Sequence, residues 1–352
     1  MAAAHGLTVL RPGMLASVQD LGRPGHRQLG ICPGGALDTL ALTLANRLVG
    51  NDDGAAGLEL TMGNCELRFE TATRIAITGD DFGAALDGVP LWACWSVPVA
   101  AGQVLRLSGA NHSPSKKGLR SWLAVAGGID VPPVLGSRST DLKAGFGGHQ
   151  GRALRKGDRL LLGPSALDAR QLAARPFGVR APEAAPRGHA DPVDDATVLR
   201  VLPGPEFEQF TAASLEALWR DPWRITPQSN RMGSRLEGFE LKRRRAFDML
   251  SSAVIPGTIQ VPPSGQPIIL MGDAQTTGGY PRIGVVIQAD LWKLAQAPLG
   301  GWLRLEQVDA AAALSALQQR RRYLAQVAQG LASAGWRVAA QNPVEGARSH
   351  AD

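Results

Sequence analysis

Short apolar or alternating runs, punctuated by turn residues, dominate the first part of the chain. Leu7–Leu10, Cys65–Phe69, Arg74–Thr78, Val104–Leu107, Ser121–Val125 and Arg159–Leu162 each have the length and composition of a strand. Asp87-Gly88 sits between Gly83–Leu86 and Val89–Trp92 and suits a type I′ hairpin, because glycine takes a positive φ without penalty. A closed or strongly curved antiparallel sheet follows. One helix interrupts it: Leu37, Leu40, Ala41, Leu44, Ala45 and Leu48 recur at helical spacing, with Asp38 at the start and Gly50 at the stop. This helix is expected to plug one end of the sheet.

Periodicity then fades over residues 164–196, where Pro164, Pro176, Pro182, Pro186 and Pro192 fall among Ala, Arg and Asp, the composition of an interdomain linker. A second strand-rich block contains Thr197–Leu202, Val254–Val261, Pro267–Met271 and Leu303–Leu305. From Asp309 to about Ala334 the pattern turns helical and Ala-rich, with Arg320–Arg322 expected on a wet face and Asn342–Asp352 expected to be disordered. The expected organisation is therefore an N-terminal β domain over 1–165, a linker over 166–196, a second β domain over 197–308 and a helical tail over 309–352.

Composition agrees with two domains, since 352 residues exceed one usual core. The 42 Gly and 24 Pro favour a turn-rich β protein over a helical bundle. No apolar stretch reaches the ~18 residues needed to cross a bilayer, and the start has no basic-then-apolar leader pattern. The expected address is the cytoplasm. Three cysteines without C-x-x-C spacing fit reduced thiols and imply no zinc. The +6 charge has no interleaved aromatics of the kind nucleic-acid binding uses, so acidic small molecules or an acidic protein partner are the better candidates.

Several chemistries are missing. Gly-Lys never occurs, which removes the P-loop; there is no G-x-S-x-G and no H-E-x-x-H; and without Met-Lys the chain lacks the usual context for biotin attachment. Four constellations remain. In Ser17–Gly25, Asp20 and Arg23 stand between glycines, as in a substrate loop or a locally capped turn. In Gly136–Arg152, Arg138 and Asp141 share a glycine-rich loop that could cradle an oxyanion or simply be a loop. In Ser229–Leu236, Asn230 precedes Arg231, and Arg235 follows four residues later, as an anion clamp or as ordinary surface pairs. The densest segment follows the apolar run Ile268–Met271, where Asp273, Gln275, Thr276, Thr277, Gly278, Gly279 and Tyr280 put a carboxylate, an amide, hydroxyls and bare backbone at a rigid strand end.

Ser17–Gly25 with Pro33–Asp38, the Ser229–Leu236 segment, Pro256–Pro262 and Asp273–Tyr280 occur in an order that resembles the biotin-dependent carboxyltransferase-like family. That family includes the C subunits of bacterial 5-oxoprolinases, the regulator KipA and the second half of the urea carboxylase carboxyltransferase domain. The resemblance covers nearly all of residues 5–308, with Arg120 standing where relatives often carry an aromatic.

The resemblance implies a mainly β fold of two cyclophilin-like β-barrel domains with a few helices and a C-terminal helix. It further implies ATP-dependent opening of the 5-oxoproline lactam to glutamate, in a site shared with the KipI-like B subunit of a complex that also holds an A subunit. ATP with Mg would be bound by the assembled complex, and no biotin by this chain. The alternatives are a carboxyltransferase component acting on a urea-like substrate and a non-enzymatic regulator that sequesters its partner. On the first reading Asp273 relays a proton, Arg231 and Arg235 hold the substrate carboxylate or a phosphoryl group, and Arg138 holds a second anion. Gln275, Thr276 and Thr277 would orient the substrate, and Gly278 and Gly279 would admit it to the backbone.

Overall fold

The computed structural model describes residues 6–112, 118–182, 196–245 and 249–336. The expected disordered end at 342–352 and part of the expected linker, 183–195, lie outside them.

In the first half, β1 (Gly6–Pro12), β4 (Cys65–Phe69), β6 (Ala84–Leu86), β7 (Val89–Pro90), β9 (Val104–Leu107), β11 (Ile129–Asp130) and β12 (Arg159–Leu162) form a seven-stranded sheet. A six-stranded sheet holds β2 (Leu15–Gln19), β3 (Gly57–Thr61), β5 (Thr73–Gly79), β8 (Trp95–Val99), β10 (Arg120–Val125) and β13 (Phe177–Gly178). Alternate residues of both, among them Leu58, Leu60, Leu67, Phe69, Ile75, Ile77, Leu123 and Val125, share one dry core. The strands thus divide between two facing sheets in this half, whereas the second half closes on itself. The β6–β7 turn has Asp87 at φ 46° and Gly88 at φ 85°, the two left-handed residues a type I′ hairpin needs.

The interrupting helix, α1 (Thr39–Leu48), starts where expected: the Asp38 carboxylate caps it by accepting from the Ala41 amide at 2.8 Å. It does not plug a sheet end. Leu44, Ala45 and Leu48 lie on the outer face of the six-stranded sheet against Ala76 and Ala124, small side chains that leave a shallow floor for a helix.

The second half is a closed barrel. Its staves are β14 (Thr197–Pro203), β15 (Trp223–Ile225), β16 (Gly233–Glu237), β18 (Thr258–Gln260), β19 (Ile268–Leu270), β21 (Arg282–Val286) and β22 (Trp302–Gln307). A parallel β14–β22 seam closes it around Val201, Trp223, Leu236, Ile259, Ile269 and Leu303. A separate ribbon pairs β17 (Ser252–Ala253) with β20 (Thr277–Gly278). Helices α3 (Ala212–Arg220) and α4 (Leu291–Gln296) flank the barrel.

Two expectations need correction. The 166–196 segment is not all linker: α2 (Ala169–Leu172), closed by an Asp168–Gln171 capping box, leads into β13, which pairs with β8. The wholly buried Arg74 anchors this stretch, donating to the carbonyls of Gln171, Leu172, Ala174 and Arg175 and to Ser96 while lying against the rings of Phe177 and Trp336. The tail is also built in. Helix α5 (Ala310–Ser333) buries Ala316 against Ile287 and Ala289 of the second half, and Val327 and Leu331 against Leu48 and Leu167 of the first. Arg320, expected on the wet face, is turned inward and grips both halves, donating to the Thr39 hydroxyl at 3.0 Å and the Gln288 carbonyl at 3.4 Å; Arg321 and Arg322 are exposed.

Candidate functional site

Strand β3 reads Gly-Leu-Glu-Leu-Thr. Because side chains alternate, Leu58 and Leu60 enter the core while Glu59 faces the other way, toward the barrel. There it meets Arg231, from the turn before β16, and Asp273, from the turn after β19. The Arg231 guanidinium forks onto Asp273, Nε to Oδ2 at 2.8 Å and Nη2 to Oδ1 at 3.0 Å, and Nη1 donates to Glu59 Oε1 at 2.5 Å. Its remaining reach goes to the Gly35 carbonyl at 2.7 Å. The backbones lock too, the Gly34 amide donating to Gly272 O at 3.1 Å and the Asp273 amide to Arg231 O at 3.1 Å.

A second layer surrounds this pair. Arg120 lies 3.6 Å from Glu59 and donates through Nη1 to the Ala295 carbonyl across the junction. Gln296 accepts from the Arg120 amide at 3.1 Å and donates to Asp38 at 2.9 Å. Charge this deep is costly unless paired, so the network fixes how the halves sit as much as it stabilises them. Burial would lower Arg231, yet Glu59 and Asp273 carry it above the ordinary arginine value. Burial pushes the Asp273 carboxyl above its usual range, the Arg231 fork pulls against it, and Glu59 and Asp141 add to the rise. Asp273 is therefore a carboxylate of raised proton affinity in a fixed orientation.

Beside it lies a third arginine in a different state. Arg23 is fully buried, stacks over Phe146 at 4.7 Å and donates through Nη2 to the Ser139 carbonyl, while its Nε and Nη1 have no hydrogen-bond partner among the described residues. Cys32 donates to Asp141 at 3.3 Å, and burial, reinforced by Asp141, raises its thiol to about 11, which keeps it protonated.

The expected site residues divide sharply. Arg231, Asp273, Arg23 and Asp141 come together at the junction. Asp20 instead organises the backbone: its carboxylate accepts from Ser137, Ser139 and the amides of Gly22 and Arg138. Arg138 is exposed and its Nε donates to the Val131 carbonyl at 2.9 Å, away from Arg231 and Asp273. Asn230 is an exposed turn residue accepting from the Met232 amide. Arg235 does not clamp with Arg231: on β16 it is exposed and lines a separate cavity of about 670 Å³ with Tyr280, Pro262 and Gln266. Gln275 reaches Gln260 at 3.4 Å, Thr276 is buried, its carbonyl accepting from the Val254 amide, and Thr277 and Gly278 pair with β17. Gly278 and Gly279 lie beside Gln260 and Ser251 respectively.

Sequence reasoning missed Glu59, Cys32, Arg120, Asp38 and Phe146. A lone carboxylate in an otherwise apolar strand was the available signal for Glu59, and the aromatic-to-arginine departure was the signal for Arg120.

Residues 29–307 match the family model described as carboxyltransferase domain, subdomain A and B. The chain is 47% identical over 339 residues to the C subunit of the 5-oxoprolinase of Escherichia coli K12, covering 96% of this chain and 100% of that protein. It is 39% identical over 312 residues to the corresponding C subunit of Haemophilus influenzae, covering 89% and 94%. Among solved structures, urea amidolyase of K. lactis matches with a TM-score of 0.80 at 29% identity, over 92% of this chain but 20% of that one. Among the described residues no helix is long and apolar enough to cross a membrane.

Proposed function

Since the chain belongs to the carboxyltransferase domain family, subdomains A and B, we propose that it is the C subunit of an ATP-dependent 5-oxoprolinase, its junction site completed by a B subunit and working with an A subunit. The observation that carries this reading is the Arg231–Asp273 pair, a proton-seeking carboxylate held rigidly where the halves meet. The end-to-end likeness to 5-oxoprolinase C subunits supports the choice of substrate.

Opening a five-membered lactam breaks a resonance-stabilised amide with a poor leaving group. The sequence has no Gly-Lys phosphate loop, and among the described residues no three His, Cys, Asp or Glu side chains gather closely enough to hold a metal ion. We therefore assign the nucleotide and its magnesium to the assembled complex, where ATP would turn the lactam oxygen into a phosphate leaving group. Asp273 would take the lactam N–H proton as the oxygen attacks the γ-phosphorus and ADP leaves, and would return it to the ring nitrogen as a water adds to the phosphorylated carbon. The C–N bond then breaks as the adduct's hydroxyl proton passes to the amine, and a second water releases phosphate from the resulting glutamyl phosphate. Arg231 is a positioning residue: four of its five N–H donors go to Asp273, Glu59 and Gly35, so it orients the carboxylate.

Reconstitution with candidate partner proteins tests this by following glutamate and ADP together. Both are expected only when this chain is present, and Asp273→Asn should cut turnover about 10²–10⁴-fold, the usual range for a general acid–base group, while the complex still assembles. Undiminished turnover removes Asp273 from the chemistry. The likeness to urea amidolyase supports a second reading, carboxyl transfer to a urea-like acceptor; urea carboxylation dependent on a biotin carrier would favour it. Assembly without any turnover would favour a regulator.

A further inference from the structure

Among the described residues, Arg23 is the one buried arginine at this junction with no carboxylate within ion-pair distance; Arg120, whose Nε also lacks a hydrogen-bond partner, still has Glu59 at 3.6 Å. Its nearest acidic neighbour in sequence, Asp20, has both oxygens committed to Ser137, Ser139 and backbone amides. A buried cation with bare donors is expensive, and proteins keep such a group where a ligand supplies the missing charge. The cradle is shaped for the guanidinium: Phe146 lies under it, and at Gly147 a Cβ would come within 3.0 Å of Nη2 and 2.3 Å of the Ser139 carbonyl that Nη2 uses.

Nη1 faces Gly34. This residue is half-buried, and its φ of 59° puts it in the left-handed region that favours glycine. Outside its chain neighbours, a point one Cβ above Gly34 meets only two atoms of the described residues within 4 Å: Arg23 Nη1 at 3.2 Å and Asp273 Oδ1 at 3.9 Å. One is a free cationic donor and the other a carboxylate acceptor, facing one niche from two sides.

We propose that this niche selects ligands carrying a carboxylate on the carbon next to an amide N–H, the carboxylate received by Arg23 and the N–H by Asp273 Oδ1. The assignment rests on the lactamase reading for its natural ligand, since 5-oxoproline carries this unit and urea does not. Arg23 is thereby a specificity residue, and substrate binding brings the lactam N–H to the carboxylate that takes its proton.

Three probes read the niche in the reconstituted complex by calorimetry: 5-oxoproline, N-acetylglycine, which keeps the amide and carboxylate without the ring, and 2-pyrrolidinone, which keeps the ring without the carboxylate. Wild type is expected to prefer the two carboxylates over 2-pyrrolidinone by about 10- to 100-fold, the worth of a hydrogen bond to a charged group. Arg23→Gln and Gly34→Ala should each flatten that preference, the second with Arg23 intact, and Arg23→Lys should restore only part of it because it keeps charge without the fork. Thermal melts check that each variant is folded, and Gly34→Ala carries the test if Arg23→Gln is not. A wild-type preference that survives both variants, or no preference in wild type, overturns the proposal. Arg23-dependent binding of N-acetylglycine without turnover of 5-oxoproline leaves the niche standing and removes the lactamase reading. Turnover with an undisturbed preference in the variants does the reverse.

Discussion

Arg74 and Arg231 are both buried arginines at joints of the molecule, and they are satisfied in opposite ways. Arg74 meets backbone carbonyls, a serine and two aromatic rings, with no carboxylate among its hydrogen-bond partners in the described residues, and burial lowers its pKa to about 10. Arg231 meets two carboxylates and is driven upward. A cation satisfied by neutral dipoles can only fasten. One satisfied by carboxylates also sets their protonation and direction, which is what a reacting group needs.

The strongest way to break that contrast is to remove each guanidinium. Arg231→Ala strands Asp273, leaves Glu59 with Arg120 alone at 3.6 Å, and should cost about 3–5 kcal/mol near neutral pH. Without its counter-charge the Asp273 carboxyl should titrate still higher folded than unfolded, so the loss is small below about pH 4 and grows as pH rises through its folded value. Arg74→Ala leaves only neutral partners and should cost stability without that slope. Urea melts at pH 4 and pH 7.5 decide it, and parallel slopes would erase the distinction. Next in size, Trp336→Ala should cost about 3 kcal/mol through lost packing around Arg74 while turnover stays unchanged. Altered kcat there would make the Arg74 joint part of the catalytic apparatus.

A smaller effect belongs to Asp38, which burial raises to about 6. Its folded value lies above its unfolded one, so its contribution is complete below about pH 4 and is lost as pH rises through 6. Asp38→Asn keeps a capping oxygen and should gain about 1–2 kcal/mol over wild type between pH 4 and pH 7, read from the difference in melting curves. Smallest of all, Arg235→Ala should change stability by less than about 0.5 kcal/mol, because the residue is exposed. It should leave turnover intact, and a large loss would return Arg235 to the site beside Arg231.

The arginines at 231 and 235 also show how far the sequence can be read. Strands, the Asp38 cap and the Asp87-Gly88 turn depend on neighbours a few residues away, and their pattern predicts them well. Which of two arginines four residues apart turns inward depends on Glu59, far away in the chain, and spacing alone cannot express that. Asp273 is legible because it ends an apolar strand. Asp20 and Arg138 mislead because a loop's need to satisfy its own amides uses the same residue types as a binding site. The segment at 169–178 reads as linker because its hydrogen bonds end on Arg74 and Ser96, remote in sequence, instead of on any periodic partner of its own.

Arg320 fastens to Thr39 on one side and Gln288 on the other, midway along a helix whose two ends are seated on different halves. A hinge that widened the cleft would have to unseat one end of that splint and expose its leucines. The register of Gly34 against Gly272 and Asp273 is thus set in advance, braced by a helix remote from all three.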